Sequence, residues 1–300
     1  MNPYDLATLT GVKSWIFGNS QDNNWPTTGD QQAAAFITAA SRAILSYLGR
    51  GTILPHTITE TRSGVGGSRM MLKDYPVLYV NTLQIGTQSI PKRPPLSGSG
   101  STQVVSTFPG GPIGWALDPV WDGSPPGRST ILGVEGFEFE RGLSNIVVNY
   151  RAGYAVYNEA AVIPGPTNKV ECQNPFGRWV SDEGVQFADG TALTAVTKDP
   201  AAGQYVPPAF NPASPDMPSW SYTFNAADQG KAVLLAYGFC PSDLEYCCTK
   251  WVGEWWAYKA RPGERSRAMP MGAGTATFDL SAMPEDVKLI LQPFKRMVSL

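Results

Sequence analysis

The sequence predicts an α+β fold: a helical core drawn from the N- and C-terminal segments, a β-rich middle, and an inserted antiparallel β-module. Three observations carry that expectation. Apolar residues recur at helical spacing near both ends of the chain. Between those ends lie short runs rich in β-branched residues, bounded by Gly and Pro. The 300 residues include 31 Gly and 26 Pro, so turns are frequent and long helices few. The expected division is one core from residues 1–155 and 241–300, with residues 156–240 as the module. An apolar share of 42% suffices for sizeable cores.

Taken in order, the first helix is expected over Thr10 to Phe17, with Val12, Trp15 and Ile16 on one side. A polar connection from Gly18 to Thr28 follows. Asp30 is placed to cap the second helix by accepting its orphan backbone N–H groups. Phe36, Ile37, Ala40, Ile44, Tyr47 and Leu48 then form an apolar face, and Gly49 suits the stop. Thr52 to Arg62 is β-branched, and Ser63 to Ser68 (SGVGGS) reads as a hairpin turn. Strands are expected at Met70 to Leu72 and Val77 to Ile85, with Val77, Tyr79 and Asn81 alternating against Leu78 and Val80. Pro91 to Thr102 is a loop, Phe137 to Gly142 an alternating strand and turn, and Asn145 to Gly153 a strand.

Within the module, short strands are expected at Lys169 to Cys172, Val185 to Phe187, Leu193 to Thr197 and Trp220 to Phe224, with a turn at Ala188-Asp-Gly. Ile146 to Tyr154 echoes Val233 to Phe239, both apolar runs closing on an aromatic and a glycine. Without the module the first run could pass directly into Pro241-Ser-Asp-Leu-Glu, as an insertion at a strand-to-helix junction would. Ser242-x-x-Glu245 reads as a capping box opening a helix to Ala260, with Leu244, Cys248, Trp251, Trp255 and Tyr258 on one face. A last helix has Pro284 at its first position, Glu285 and Asp286 in its first turn, and Lys295 and Arg296 in its last. Pro293 should end or kink it near Gln292.

Composition narrows the chemistry. Charged residues are 16% of the chain, low against a usual ~25%, and the net charge of −2 argues against a nucleic-acid coat. Lys13, Arg42, Arg50 and Lys73 are scattered and form no basic stripe. No run reaches the ~18 apolar residues that span a bilayer, so no membrane partner is expected. Met1-Asn-Pro-Tyr-Asp lacks the basic and apolar regions of a signal peptide. Cys172, Cys240, Cys247 and Cys248, with His56 as the single histidine, do not make a zinc-ligand pattern and read as buried thiols of a cytoplasmically made protein. No metal and no cofactor is expected.

Catalytic patterns are equally thin. His56 stands in Leu54-Pro-His-Thr without a G-x-S-x-G element. Asp118 and Asp122 flank Trp121, with Trp115 near, and acids beside aromatics are what a sugar cleft needs. Pro119, Gly123, Pro125 and Pro126 instead mark a turn-rich loop, where Asp bonds to backbone. Structural loop leads there, with sugar binding and glycosidase chemistry as the alternatives. SGVGGS misses the dinucleotide and P-loop spacings. Trp251, Trp255 and Trp256 at helical spacing read as core or subunit packing, and Trp256, off the main face, is the subunit-interface candidate.

The order of parts also resembles a family. Leu6 to Ile16 and Phe36 to Arg50 are similar to the opening of tailed-phage head-to-tail connector proteins, the gp6-like adaptors. Met70 to Val77, Phe139 to Tyr154, Pro241 to Glu245, Met283 to Val287 and Leu291 to Arg296 follow in that family's order. The departure is length, since residues 156–232 have no place in the minimal pattern and resemble β-modules appended to other phage structural proteins. The resemblance implies a non-enzymatic virion component of the bacteriophage neck, made in the host cytoplasm. It implies a homo-oligomeric ring, typically a dodecamer, below the portal protein, with a tail or stopper protein beneath and viral DNA passing through the lumen. Carried onto this chain, it makes Pro293, Phe294, Lys295, Arg296 and Met297 the portal-contact candidates. The apolar tail agrees, because such a segment gains by ordering on a partner surface. A carbohydrate-binding or capsid-decoration accessory protein is the alternative.

Overall fold

Apolar burial divides this chain into three clusters rather than gathering it around one helical core. The computed structural model describes residues 5–17, 29–93, 113–117, 131–173, 176–208, 220–259, 266–268, 275–277 and 283–295. Among them strand takes 41% and helix 28%, so the expectation of a fold carried by a helical core is corrected to a mostly β architecture. The reason is the punctuation noted above: Gly and Pro cut the middle into strands of two to eleven residues, and each pair of sheets buries its own interior.

The helical cluster joins α1 (Leu9–Phe17), α2 (Gly29–Leu48), α3 (Ser242–Lys259) and α4 (Glu285–Leu291). Val12, Ile37, Ile44, Leu48, Leu244, Val252, Val287 and Leu291 are fully buried in it. The helical periodicity read from α2 and α3 therefore points Phe36, Ile37, Ala40, Ile44, Tyr47, Leu48, Leu244, Cys248, Trp251 and Trp255 into the cluster, which does not include Tyr258, and Gly49, at φ 68°, terminates α2. The caps differ from expectation. Asp30 lies inside the first turn and pairs with Lys13 of α1 at 2.6 Å. The Ser242 hydroxyl donates to the Phe176 carbonyl at 3.2 Å, and Glu245 faces Arg178 at 3.4 Å, so this pair builds a tertiary contact rather than a capping box. Pro284 stands just before α4 rather than at its first position.

The second cluster lies under an antiparallel sheet with strand order β1–β7–β3–β4. Its strands are β1 (His56–Gly64), β7 (Gly142–Ala152), β3 (Val77–Ile85) and β4 (Gln88–Ile90). A smaller sheet of β2 (Arg69–Met71), β6 (Ile131–Glu135) and β5 (Gly114–Leu117) packs with it. The simple alternation expected in β3 fails. Register shifts at Val77/Tyr79 and Val80/Thr82 bring both Val77 and Val80 inside and leave Tyr79 exposed. Residues 137–140 form no strand. SGVGGS is not a hairpin, because β1 pairs with β7 whereas β2 pairs with β6. Its glycines serve close approach: a Cβ at Gly64 would stand 1.8 Å from the Glu140 carbonyl oxygen, and the Gly66 N–H donates to Phe139 O at 2.9 Å.

The third cluster is enclosed by β8 (Ala155–Val162), β9 (Lys169–Glu171), β10 (Gly177–Phe187), β11 (Thr194–Ala195), β12 (Gln204–Val206), β13 (Ser221–Phe224) and β14 (Ala232–Pro241). They form two sheets, ordered β10–β14–β8 and β11–β12–β13–β9. β11 and β12 run parallel, so the wholly antiparallel module of the sequence reading is corrected here. A final pair, β15 (Ser266–Ala268) and β16 (Thr275–Thr277), completes the strands among the described residues.

The chain enters and leaves the third cluster at one place. Phe239 N–H donates to Tyr154 O at 3.0 Å, and β14 runs without a break into α3. Pro55 wedges between the two β units: Cβ atoms at Gly153 and Gly238 would lie 2.5 and 2.6 Å from its atoms. Arg151 of β7 then grips Glu183 of β10 side-on, Nε to Oε2 at 2.7 Å and Nη2 to Oε1 at 2.5 Å.

Candidate functional site

The C-terminal turn is positioned by α4. Val287 and Leu291 enter the helical cluster on one side of that helix, leaving Leu289 70% exposed on the other with Glu285 and Asp286. Asp286 pairs with Lys250 of α3, and Glu285 with Lys288 at 2.5 Å. The helix stops at Leu291 and tightens into a 3-10 turn at Gln292–Phe294, where Pro293 removes a backbone donor. Consequently Lys295 falls beyond the helix, not in its last turn.

The portal-contact candidates separate. Pro293 and Lys295 are exposed. Phe294 turns inward, its ring 6.0 Å from that of Tyr154, and packs on the helical cluster. Substituting it therefore touches the fold as well as any docking surface. Arg296 and Met297 lie outside the described residues. The Tyr75 hydroxyl donates to the Lys295 carbonyl, and the Lys295 ammonium sits 4.9 Å over the Tyr47 ring. So the C-terminal turn is fastened to both α2 and the β3-leading turn.

The subunit-interface candidate Trp256 is half-buried. Its ring meets Phe36 edge-on at 6.4 Å, and the Lys259 ammonium lies 4.7 Å over it. A more exposed aromatic surface escaped the sequence reading: Trp15, 49% exposed, stacks edge-on against Tyr246 at 5.5 Å. Helical spacing assigned Trp15 to the apolar side of α1. Gly253 on α3 lets the indole lie against that helix, since an added Cβ would meet its edge at 2.9 Å. That glycine within the tryptophan-rich helix was the available signal.

The remaining sequence candidates show what they touch. His56 Nδ1 lies 2.8 Å from Leu54 O, and Nε2 lies 3.9 Å from Asp74. Trp115 is buried in the second cluster, while Asp118, Trp121 and Asp122 lie outside the described residues. All four cysteines are free and buried. Burial pushes the thiols of Cys172, Cys240 and Cys248 up to about 12 and that of Cys247 up to about 11, which suppresses the nucleophilic thiolate. Among the described residues no three His, Cys, Asp or Glu side chains group as metal ligands, and no helix is long and apolar enough to cross a membrane.

Four carboxylates among the described residues have displaced titrations: Asp189, lowered by its hydrogen bonds from Thr191, Glu254, raised by burial, and the pair Glu245 and Asp228. Burial raises Glu245 above the usual range despite Arg178 beside it. Burial also acts to raise Asp228, but the Lys231 ammonium and the Gly203 N–H outweigh it and hold Asp228 low. Both sit in structural contacts, and neither faces a second acid in a cleft. No protein-family model matches the chain, and no curated protein matches it in sequence.

Proposed function

We propose that this chain is a structural virion protein: a head-to-tail adaptor whose copies form a ring between the portal and the tail or stopper protein, with a lumen for DNA. The observation that carries the reading is the packing of α1, α2, α3 and α4 into one helical cluster that leaves Leu289 and the Trp15–Tyr246 pair exposed. Exposed apolar side chains set beside acids and lysines suit a protein–protein contact, where a few aromatic and aliphatic anchors supply most of the affinity. The ordered motifs given above add independent support. On this reading Pro293, Lys295 and Leu289 are the outward portal-contact residues, Phe294 supports them from inside, and Trp256 with Trp15 serves the contact between copies.

A cryo-EM reconstruction of the particle neck tests it. The expected result is density for this chain as a ring below the portal, with residues 285–295 at the portal side. Finding the chain on the shell or the fibres overturns the adaptor reading. Leu289→Asp, on an exposed site, should leave the melting temperature of the free chain within about 1 °C while lowering incorporation into particles.

A further inference from the structure

Arg50 is a buried guanidinium that forms no ion pair among the described residues. It follows the Gly49 stop of α2 and is 6% exposed. Its Nη1 donates to Tyr75 O at 2.5 Å, and its Cζ lies 3.6 Å from the centre of the Tyr75 ring. Its Nε and Nη2 are buried with no hydrogen-bond partner. The guanidinium is thus spent on the turn before β3, not on the last carbonyls of α2, so the helix dipole does not account for it. Glu60, the nearest acid in sequence, pairs with Arg62 at 2.6 Å, and Asp74, next to Tyr75, lies 3.9 Å from His56 Nε2. None of the ion pairs among the described residues includes Arg50. A buried charge left without a counter-charge is strongly unfavourable, and one carbonyl and one ring offset only part of that.

The pair of unpartnered donors has a specific geometry. Nε–H and Nη2–H form one edge of the planar guanidinium and grip two oxygens of one oxyanion side by side. Arg151 in this same chain uses that edge on Glu183, at 2.7 and 2.5 Å. At Arg50 the same edge is buried and has no partner. A second cationic residue contacts the same turn: the Lys295 carbonyl accepts from the Tyr75 hydroxyl, and the Lys295 ammonium rests over Tyr47. We propose that Arg50, assisted by Lys295, binds an oxyanion, a carboxylate or a phosphate group, where the end of α2, the Tyr75 turn and the C-terminal turn meet. The inference is independent of the adaptor reading, since it needs no partner protein and no ring.

The test titrates the full chain with sodium phosphate and, separately, with sodium acetate, each against sodium chloride at matched ionic strength. Two readouts are followed: the Arg50 Nε–H resonance, assigned by its loss in Arg50→Lys, and the melting temperature. The expected result is a saturable shift of that resonance with a parallel rise in melting temperature. The stronger of the two salts identifies the source as phosphate or carboxylate. Arg50→Lys keeps the charge and loses the side-on edge, so its affinity should fall by at least about tenfold, the worth of one charge-assisted hydrogen bond. Arg50→Met should melt no lower than the parent in chloride and lose the response. Lys295→Ala should weaken the response and leave the resonance in place. No saturable change with either salt overturns the proposal. So does a response in Arg50→Lys equal to that of the parent, an outcome that decides the matter even where Arg50→Met does not fold.

Discussion

The helical cluster and the third, all-β cluster solve burial differently. The helical cluster is assembled from segments near residues 6–12, 37–54, 239–252 and 287–291 with Tyr154, and its interior is mainly aliphatic side chains and thiols, joined by Tyr154, Phe239 and Trp251. The third is drawn from one continuous stretch, and its interior is ringed with Tyr205, Tyr222, Tyr237, Phe224 and Trp179. Those phenols need acceptors. Asp182 accepts from Tyr205 at 2.7 Å and from Tyr222 at 3.1 Å, Tyr222 accepts from Trp179 at 3.3 Å, and Tyr237 donates to Glu159. One cluster is therefore vulnerable to inserted polarity, the other to removal of it.

The largest effect should come from breaking the helical cluster. Ile44 is fully buried there, and Ile44→Asp places a carboxylate among aliphatic groups with no cation positioned to meet it. The cost should exceed about 4 kcal/mol, enough to abolish cooperative folding of this cluster. Circular dichroism near 222 nm during thermal melting reads it. A variant that retains a sharp transition within a few degrees of the parent would show that the four distant segments do not depend on one another.

Asp182→Ala sharpens the contrast from the other side. It leaves the Tyr205 and Tyr222 hydroxyls without their acceptor, at a cost of about 2–3 kcal/mol. Hydrogen exchange should locate the loss in β10, β12 and β13, with α2 and α3 protected as before. Equal loss of protection in the helices would mean that the unbroken passage from β14 into α3 and the Arg178–Glu245 contact fuse the two clusters into one cooperative unit.

What the sequence revealed divides along the same line. α2 and α3 were legible because a 3.6-residue period survives over five turns, and Pro293 marks the end of α4 within a residue. The β regions were harder. Bulges in β3 break the period of two, β10 absorbs a segment of which only Val185 to Phe187 carries strand character by itself, and SGVGGS has the composition of a hairpin while joining two sheets. Pairing partners such as β7 with both β1 and β3 are set by contacts distant along the chain, which no local window contains. Of the candidate site, the exposed C-terminal turn was visible in Leu-Gln-Pro-Phe-Lys-Arg, but the inward turn of Phe294 depends on Tyr154. The unpartnered edge of Arg50 depends on Tyr75 and on the absence of an ion pair among the described residues, and a lone Arg after a helix-stopping Gly carries no such signal.

The smallest expected effect distinguishes the two clusters by the sign of their response to acid. In the third cluster Asp228 is held low, mainly by its bonds to Lys231 and Gly203 acting against its burial. Between its folded value and the unfolded value of about 3.9, the unfolded chain binds more protons, so stability falls as pH falls through that window. Beside the helical cluster Glu245 is raised by burial, with Arg178 opposing. Between about 4.3 and its higher folded value the folded chain binds more protons, so this group's contribution is present at low pH and lost as pH rises through that window. The Asp228 contribution should be under about 1 kcal/mol, since the Lys231 side chain is half exposed and screened. Urea unfolding of Asp228→Asn between pH 3 and 6 should flatten the acid-side decline, and Glu245→Gln should flatten the opposing slope. A parent slope unchanged by either substitution would place the pH response in other groups and remove this distinction between the two interiors.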